Sequence, residues 1–396
     1  MLQPGTFGLT LLLAMLTALG PLSMDMYLPS LPDITHVLAA PTARTQLTVS
    51  SYLIGFAVGQ VIYGPLSDRY GRRPVVLAAV ALYLASTLAC AAARSVDPLI
   101  AARFFQGVGG SGAIVLARAI VRDLYSGVRA ARELSLMGSI SAFAPIVAPM
   151  IGGILQTAFG WRASFICMSI GAVVTVLVAA RLLPETMRRR PGDSVSLLSM
   201  LGGYGTVVRN RAFLVYLGVL TISYAGLFAW VSGASVVLQS VYGLSPVAFG
   251  FTFALGAGGF MTGAMIATRL VMRLGLDRTI WVGVTVLAVG GMALAAAVAT
   301  SIPGIWLVAA MAVYLAGLGL AMPQAMAGAL TPFPERAGTA ASLLGLVQQT
   351  VAAIVAAAIG GYLGHSAWPM TGVVLAMGCL TFLLWALARP QRAQQP

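Results

Sequence analysis

The chain has 396 residues, 59% hydrophobic and only 8% charged. A soluble domain carries about 25% charged residues, so this composition excludes a soluble globular protein and leaves a polytopic membrane protein. The formal net charge is +13 and all 23 basic residues are arginine. With no lysine there is no P-loop nucleotide site and no lysine Schiff base, and the arginines fall in turns between apolar runs, which argues against nucleic-acid binding.

A helix needs about 20 apolar residues to cross a bilayer core. Runs near that length predict an all-α protein with twelve membrane helices. They lie at 7–29, 46–66, 75–93, 98–118, 134–157, 162–182, 211–233, 247–268, 279–299, 304–328, 339–361 and 370–388. The first run has no basic residue before it and no A-x-A cleavage pattern after it, so it reads as a retained helix and not as a signal peptide.

Between the second and third runs lies a short basic turn, Gly64-Pro65-Leu66-Ser67-Asp68-Arg69-Tyr70-Gly71-Arg72-Arg73-Pro74. Arginines beside membrane helices stay on the cytoplasmic side. Assigning the turns alternately puts nearly all arginines inside and only Arg44, Arg94 and Arg162 outside. Both termini are then expected in the cytoplasm. The longest polar interruption, Pro184–Arg211, holds Arg188-Arg189-Arg190 and Asp193. It divides the chain into residues 1–183, a cytoplasmic linker 184–210, and residues 211–396, each half with six spans. A weak echo of the basic turn, from Gly263 through Arg269 and Arg273 to Gly275, lies about 200 residues later, as a duplication requires.

Charges inside a bilayer are costly and point to function. Asp25 is the one acid within a span, about 27 Å along the first helix at 1.5 Å per residue. Arg103 reaches a similar depth from the opposite direction. An Asp25–Arg103 ion pair would relieve the burial of both. The alternative places both at the interface, Asp25 ending a helix and Arg103 snorkelling. Asp123 falls at the inner surface, near the arginines of the basic turn. The G-x-G-x-x-G of Gly107–Gly112 has no preceding strand, and close helix packing explains it better than a dinucleotide site. Cys90, Cys167 and Cys379 lack metal-ligand spacing, and His36 and His365 read as surface residues; no cofactor and no metal is expected. The second half has no embedded acid. Its Tyr224, Phe228, Trp230, Gln239, Tyr314, Gln324, Gln348 and Gln349 suit a mostly apolar, hydrogen-bonding solute.

The basic turn resembles the loop between the second and third helices of the major facilitator superfamily through Gly64, Leu66, Asp68, Arg69, Gly71, Arg72 and Arg73. Leu99, Arg103, Gln106, Gly107, Gly109 and Gly110 resemble the fourth-helix motif of its drug:proton antiporters. Gly138, Pro145, Pro149, Gly152 and Gly153 resemble their fifth-helix motif, with Ala144-Pro145 where Gly-Pro is usual. Asp25-Met26-Tyr27-Leu28-Pro29-Ser30-Leu31-Pro32 and Arg118–Asp123 are similar to the bicyclomycin-resistance (Bcr/CflA) branch.

The resemblance implies two six-helix bundles in a bacterial inner membrane. It implies alternating-access exchange of protons for small, mostly neutral or apolar drugs of bicyclomycin or chloramphenicol type, by a monomer. Asp25 and Arg103 would couple the proton. Gly64, Asp68, Arg69, Gly71, Arg72 and Asp123 would form a conformational latch, and Pro145, Pro149, Gly152 and Gly153 the antiporter helix. Met26, Tyr27, Gln106, Tyr224, Phe228, Trp230 and Gln348 would face the substrate. A proton-coupled nutrient or metabolite transporter on the same fold is the competing reading. A membrane-embedded enzyme would need clustered acids, histidines or cysteines, which the sequence lacks.

Overall fold

The structure is a computed structural model that describes residues 6–187, 197–333, 336–363 and 366–388. Arg188, Arg189, Arg190, Asp193, Glu335, His365, Arg389 and Arg392 lie outside the described residues.

The described chain is nearly all helical. Its α-helices are α1 (Phe7–Asp25), α2 (Leu31–Val37), α3 (Thr42–Tyr70), α4 (Arg72–Ala92), α5 (Val96–Leu124), α6 (Gly127–Phe159) and α7 (Arg162–Leu182). They continue with α8 (Leu197–Val207), α9 (Arg211–Ser235), α10 (Pro246–Leu274), α11 (Leu276–Ala299), α12 (Gly304–Leu330), α13 (Ala337–Gly360) and α14 (Trp368–Leu387). Among the described residues, 12 spans are long and apolar enough to cross a membrane, with α1 and α2 joined as the first. Several helices outrun their apolar runs. α3 starts at Thr42 and α5 continues to Leu124, which carries Arg118 and Asp123 on the helix itself. A helical hydrogen-bond ladder need not stop at the edge of the hydrocarbon, since the headgroup layer adds about 10–15 Å to the apolar core.

The chain forms two compact units, Met1–Ser199 and Met200–Pro396. In the first, α5 packs between α3 and α4, α4 against α7, and α1 against α5 and α6. In the second, α12 packs between α10 and α11, α14 against α9 and α11, and α9 against α13. Each unit has its own apolar core, around Leu16, Tyr83 and Leu116 in the first and around Phe213, Val284 and Trp385 in the second.

Glycines set these contacts, and they repeat. A Cβ on Gly55 of α3 would lie 2.0 Å from the Phe104 carbonyl oxygen, and one on Gly59 would lie 2.9 Å from that of Val108. In the second unit Gly259 and Gly263 of α10 meet the carbonyls of Ala312 and Ala316 at 2.2 and 2.0 Å. The glycines are shifted by 204 positions and their partners by 208. Gly109 against Tyr83 and Gly317 against Leu287 keep the same two shifts. The duplication only hinted at by the basic echo is therefore carried by small-residue contacts, where backbone must touch backbone.

Candidate functional site

α1 ends at Asp25, and the chain continues through a 3-10 turn, Leu28–Ser30, into the short α2. Pro29 and Pro32 explain the break, since neither can donate to an α-helical ladder. The last carbonyls of α1 are thereby left without intrahelical partners. Asp25 is 7% exposed, and among the described residues no ion pair and no hydrogen bond reaches its carboxylate.

Arg103 of α5 is fully buried. Its Nη1 donates to the Ser23 carbonyl at 3.0 Å and to Gln106 Oε1 at 2.5 Å, and its Nε donates to the Thr48 carbonyl at 3.4 Å. The guanidinium carbon stands 4.1 Å from the ring centre of Tyr27 and 4.3 Å from that of Tyr52. Nη2 has no partner. The expected Asp25–Arg103 ion pair is thus absent, and Arg103 does not snorkel. The negative end of α1 and two aromatic faces take the place of the carboxylate as counter-charge.

The surrounding side chains hold this arrangement. Gln106 Nε2 donates to Thr87 Oγ1 at 2.9 Å, which fixes the amide with its oxygen towards Arg103. Ser23 Oγ and Tyr83 Oη are 2.6 Å apart, Tyr52 Oη donates to the Gly20 carbonyl at 2.9 Å, and Tyr27 Oη lies 3.2 Å from Thr48 Oγ1. Tyr27 and Gln106, expected at a substrate surface, are fully buried and serve Arg103. Met26 is buried beside them.

The antiporter-motif helix α6 carries Pro145 and Pro149. One turn further on, Gly152 abuts the backbone of Met26: a Cβ there would stand 1.9 Å from the Met26 oxygen. Ser164 Oγ of α7 donates to that same carbonyl at 3.3 Å. Gly153 is buried next to Gly152.

At the other end of the first unit, Arg72 ties the basic turn together. Its Nη1 reaches Asp68 Oδ1 and Ser67 Oγ, each at 2.5 Å, and its Nε reaches Asp123 Oδ2 at 2.8 Å. Arg69 stacks over Tyr70 at 5.2 Å, and Gly64 meets nothing that a side chain would strike. Gly71 has φ +100°, which favours glycine. Sequence reasoning missed Glu185 here. Its carboxylate accepts the backbone N–H groups of Arg72 and Arg73 at 2.9 and 3.1 Å, and Thr186 Oγ1 donates to Asp123 Oδ2 at 3.3 Å. The available signal was that α4 opens with two arginines and no acid in its first turn.

In the second unit Tyr224 and Phe228 have ring centres 4.7 Å apart, and Trp230 is 1% exposed. Gln348 Nε2 donates to the Leu220 carbonyl at 3.3 Å, and Tyr314 Oη to that of Ser223 at 3.1 Å. The one described acid, Asp277, sits in the first turn of α11 and accepts from Tyr216 Oη. Among the described residues no group of three His, Cys, Asp or Glu could hold a metal ion. The G-x-G-x-x-G glycines lie mid-helix in α5, with Gly107 on the Tyr52 carbonyl and Gly112 on Ala79 and Tyr63, as packing requires.

Comparison with known proteins agrees with this architecture. The chain is 31% identical to multidrug resistance protein D of Escherichia coli (strain K12), over 96% of this chain and 95% of that one. It is 30% identical to the bicyclomycin resistance protein homolog of Haemophilus influenzae, over 93% and 92%. Its fold matches the xylose transporter XylE from E. coli, in a partially occluded inward-open conformation, with TM-score 0.75 and 17% identity over 97% of each chain. The sequence profile of the Major Facilitator Superfamily matches residues 13–356. With twelve spans in two duplicated units and a profile covering most of its length, the chain belongs to the Major Facilitator Superfamily.

Proposed function

We propose that this protein is a drug-efflux transporter that exchanges protons for small, mostly neutral or apolar drugs by alternating access. Drug efflux is supported by the names of its relatives, multidrug resistance protein D and bicyclomycin resistance protein homolog. The xylose-transporter likeness supports the fold alone. The protein acts as a monomer in a bacterial inner membrane with both termini in the cytoplasm; the arginine distribution supports that orientation.

One observation carries the proton coupling: the unpaired, buried carboxylate of Asp25 at the break of α1, two residues from the carbonyl that holds Arg103. Ionised, Asp25 is a buried carboxylate with no partner, which is costly; protonation removes that charge. The two protonation states therefore differ in how well they tolerate this arrangement, and that difference biases the alternation. Of Tyr224, Phe228, Trp230 and Gln348, only Tyr224 is more than slightly exposed, and none is a carboxylate, consistent with neutral solutes. The test is drug-dependent proton movement in everted membrane vesicles. Proton efflux from the vesicle lumen on adding bicyclomycin or chloramphenicol is expected. Drug movement with no linked proton movement would overturn the coupling.

A further inference from the structure

α4 begins in an unfavourable way. Its first turn carries Arg72 and Arg73 and no acid, so positive side chains meet the positive end of the helix dipole. Its first N–H groups lack intrahelical acceptors. The chain meets both needs from more than a hundred residues away. Glu185 accepts the N–H groups of Arg72 and Arg73, and also those of Thr186 and Met187 at 3.0 Å each. The strap runs both ways, because Arg73 Nη2 donates to the Ala180 carbonyl near the end of α7 at 2.5 Å. Gly71 makes room for it: a Cβ there would lie 2.7 Å from Glu185 Oε2. Next in sequence, Thr186 shares Asp123 Oδ2 with Arg72.

We propose that Glu185 is a positioning residue of the latch. It fixes the start of α4, and with it the Arg72 side chain between Asp68 and Asp123, so that detachment of Glu185–Met187 and opening of the latch are one event. The role in transport rests on the function proposed above; the local coupling does not.

Hydrogen–deuterium exchange of the full chain tests it without a substrate. Glu185→Gln removes the charge and keeps the size. Exchange is expected to rise about ten-fold across residues 66–80, the effect of losing a helix cap. It is expected to rise also across 118–126, which Glu185 does not touch and which it reaches only through Arg72, Thr186 and Asp123. With Asp123→Asn added, exchange at 118–126 should be no faster than in the faster single variant. Efflux should fall while drug binding is retained. If Glu185→Gln fails to accumulate, Glu185→Asp, one methylene shorter, is read the same way. Faster exchange confined to the first turn of α4 would make Glu185 a plain cap and overturn the proposal, as would wild-type turnover with altered exchange. Absence of drug export by the unaltered protein would instead refute the proposed function and leave the exchange result to decide the role of Glu185.

Discussion

Gly152 and Met26 touch through their backbones: the Gly152 Cα faces the Met26 carbonyl so closely that a Cβ would stand 1.9 Å from its oxygen. The proline- and glycine-bearing helix α6 is thereby held against the residue that follows Asp25. Gly152→Ala must push α6 away from the break in α1, an overpacking change that costs about 1–3 kcal/mol. It should lower the thermal unfolding temperature and reduce efflux more than Gly138→Ala, since among the described residues Gly138 meets nothing within 4 Å. Equal efflux in the two variants would separate α6 from the Asp25 region.

Asp25→Asn imitates the protonated carboxyl at nearly constant volume. It removes a buried charge that lacks a partner, so folding should survive. Proton release from the purified protein on adding drug should vanish, and concentrative efflux with it. Release at the wild-type level would show that another group carries the proton.

Arg103→Lys keeps the charge but not the planar fork. An ammonium cannot reach Ser23, Gln106 and Thr48 together, nor lie flat between Tyr27 and Tyr52. We expect efflux to fall at least about ten-fold, the weight of one charge-assisted hydrogen bond. Gln106→Leu should cause a smaller loss, because it frees one Nη1 contact and Thr87 but leaves the aromatic sandwich. Wild-type efflux by Arg103→Lys would show that charge alone suffices.

Topology can be read from two engineered thiols in a cysteine-free background. His36→Cys, exposed on α2, should react with an impermeant maleimide added to intact cells. Ser126→Cys, between α5 and α6, should react only after the membrane is opened. The reverse pattern would invert the orientation inferred from the arginines.

What the sequence could reveal follows from which atoms make the contacts. The twelve spans, the basic turn and the embedded Arg103 were legible because a charge or a polar run stands out in an apolar chain. Apart from Gln106, three residues along the same helix, the partners of Arg103 were not legible. Two are backbone carbonyls, which every residue carries, and two are tyrosine faces whose side chains gave no hint of a cation. For this reason an ion pair with Asp25 was expected where the end of α1 does the work. Glu185 was hidden for a related reason. It binds backbone N–H groups on a helix that starts 113 positions earlier, and no residue type at Arg72 announces that its amide needs an acceptor. The glycines of α3, α5 and α10 were visible as small residues, but the carbonyl each one faces depends on helix crossing.

The matched shifts of 204 and 208 positions carry a consequence for how such a protein can change. Advancing Arg103 and Gln106 by 208 gives Met311 and Tyr314. The second copy thus keeps the backbone seams of the first and none of its buried cation. Shape and charge are written by different residues, so one can be edited while the other stays. On the proposed reading, the half that handles energy and the half free to vary in what it grips are separate inheritances of one ancestral bundle. Drug range could then drift through substitutions around Tyr224 and Gln348 without disturbing the proton.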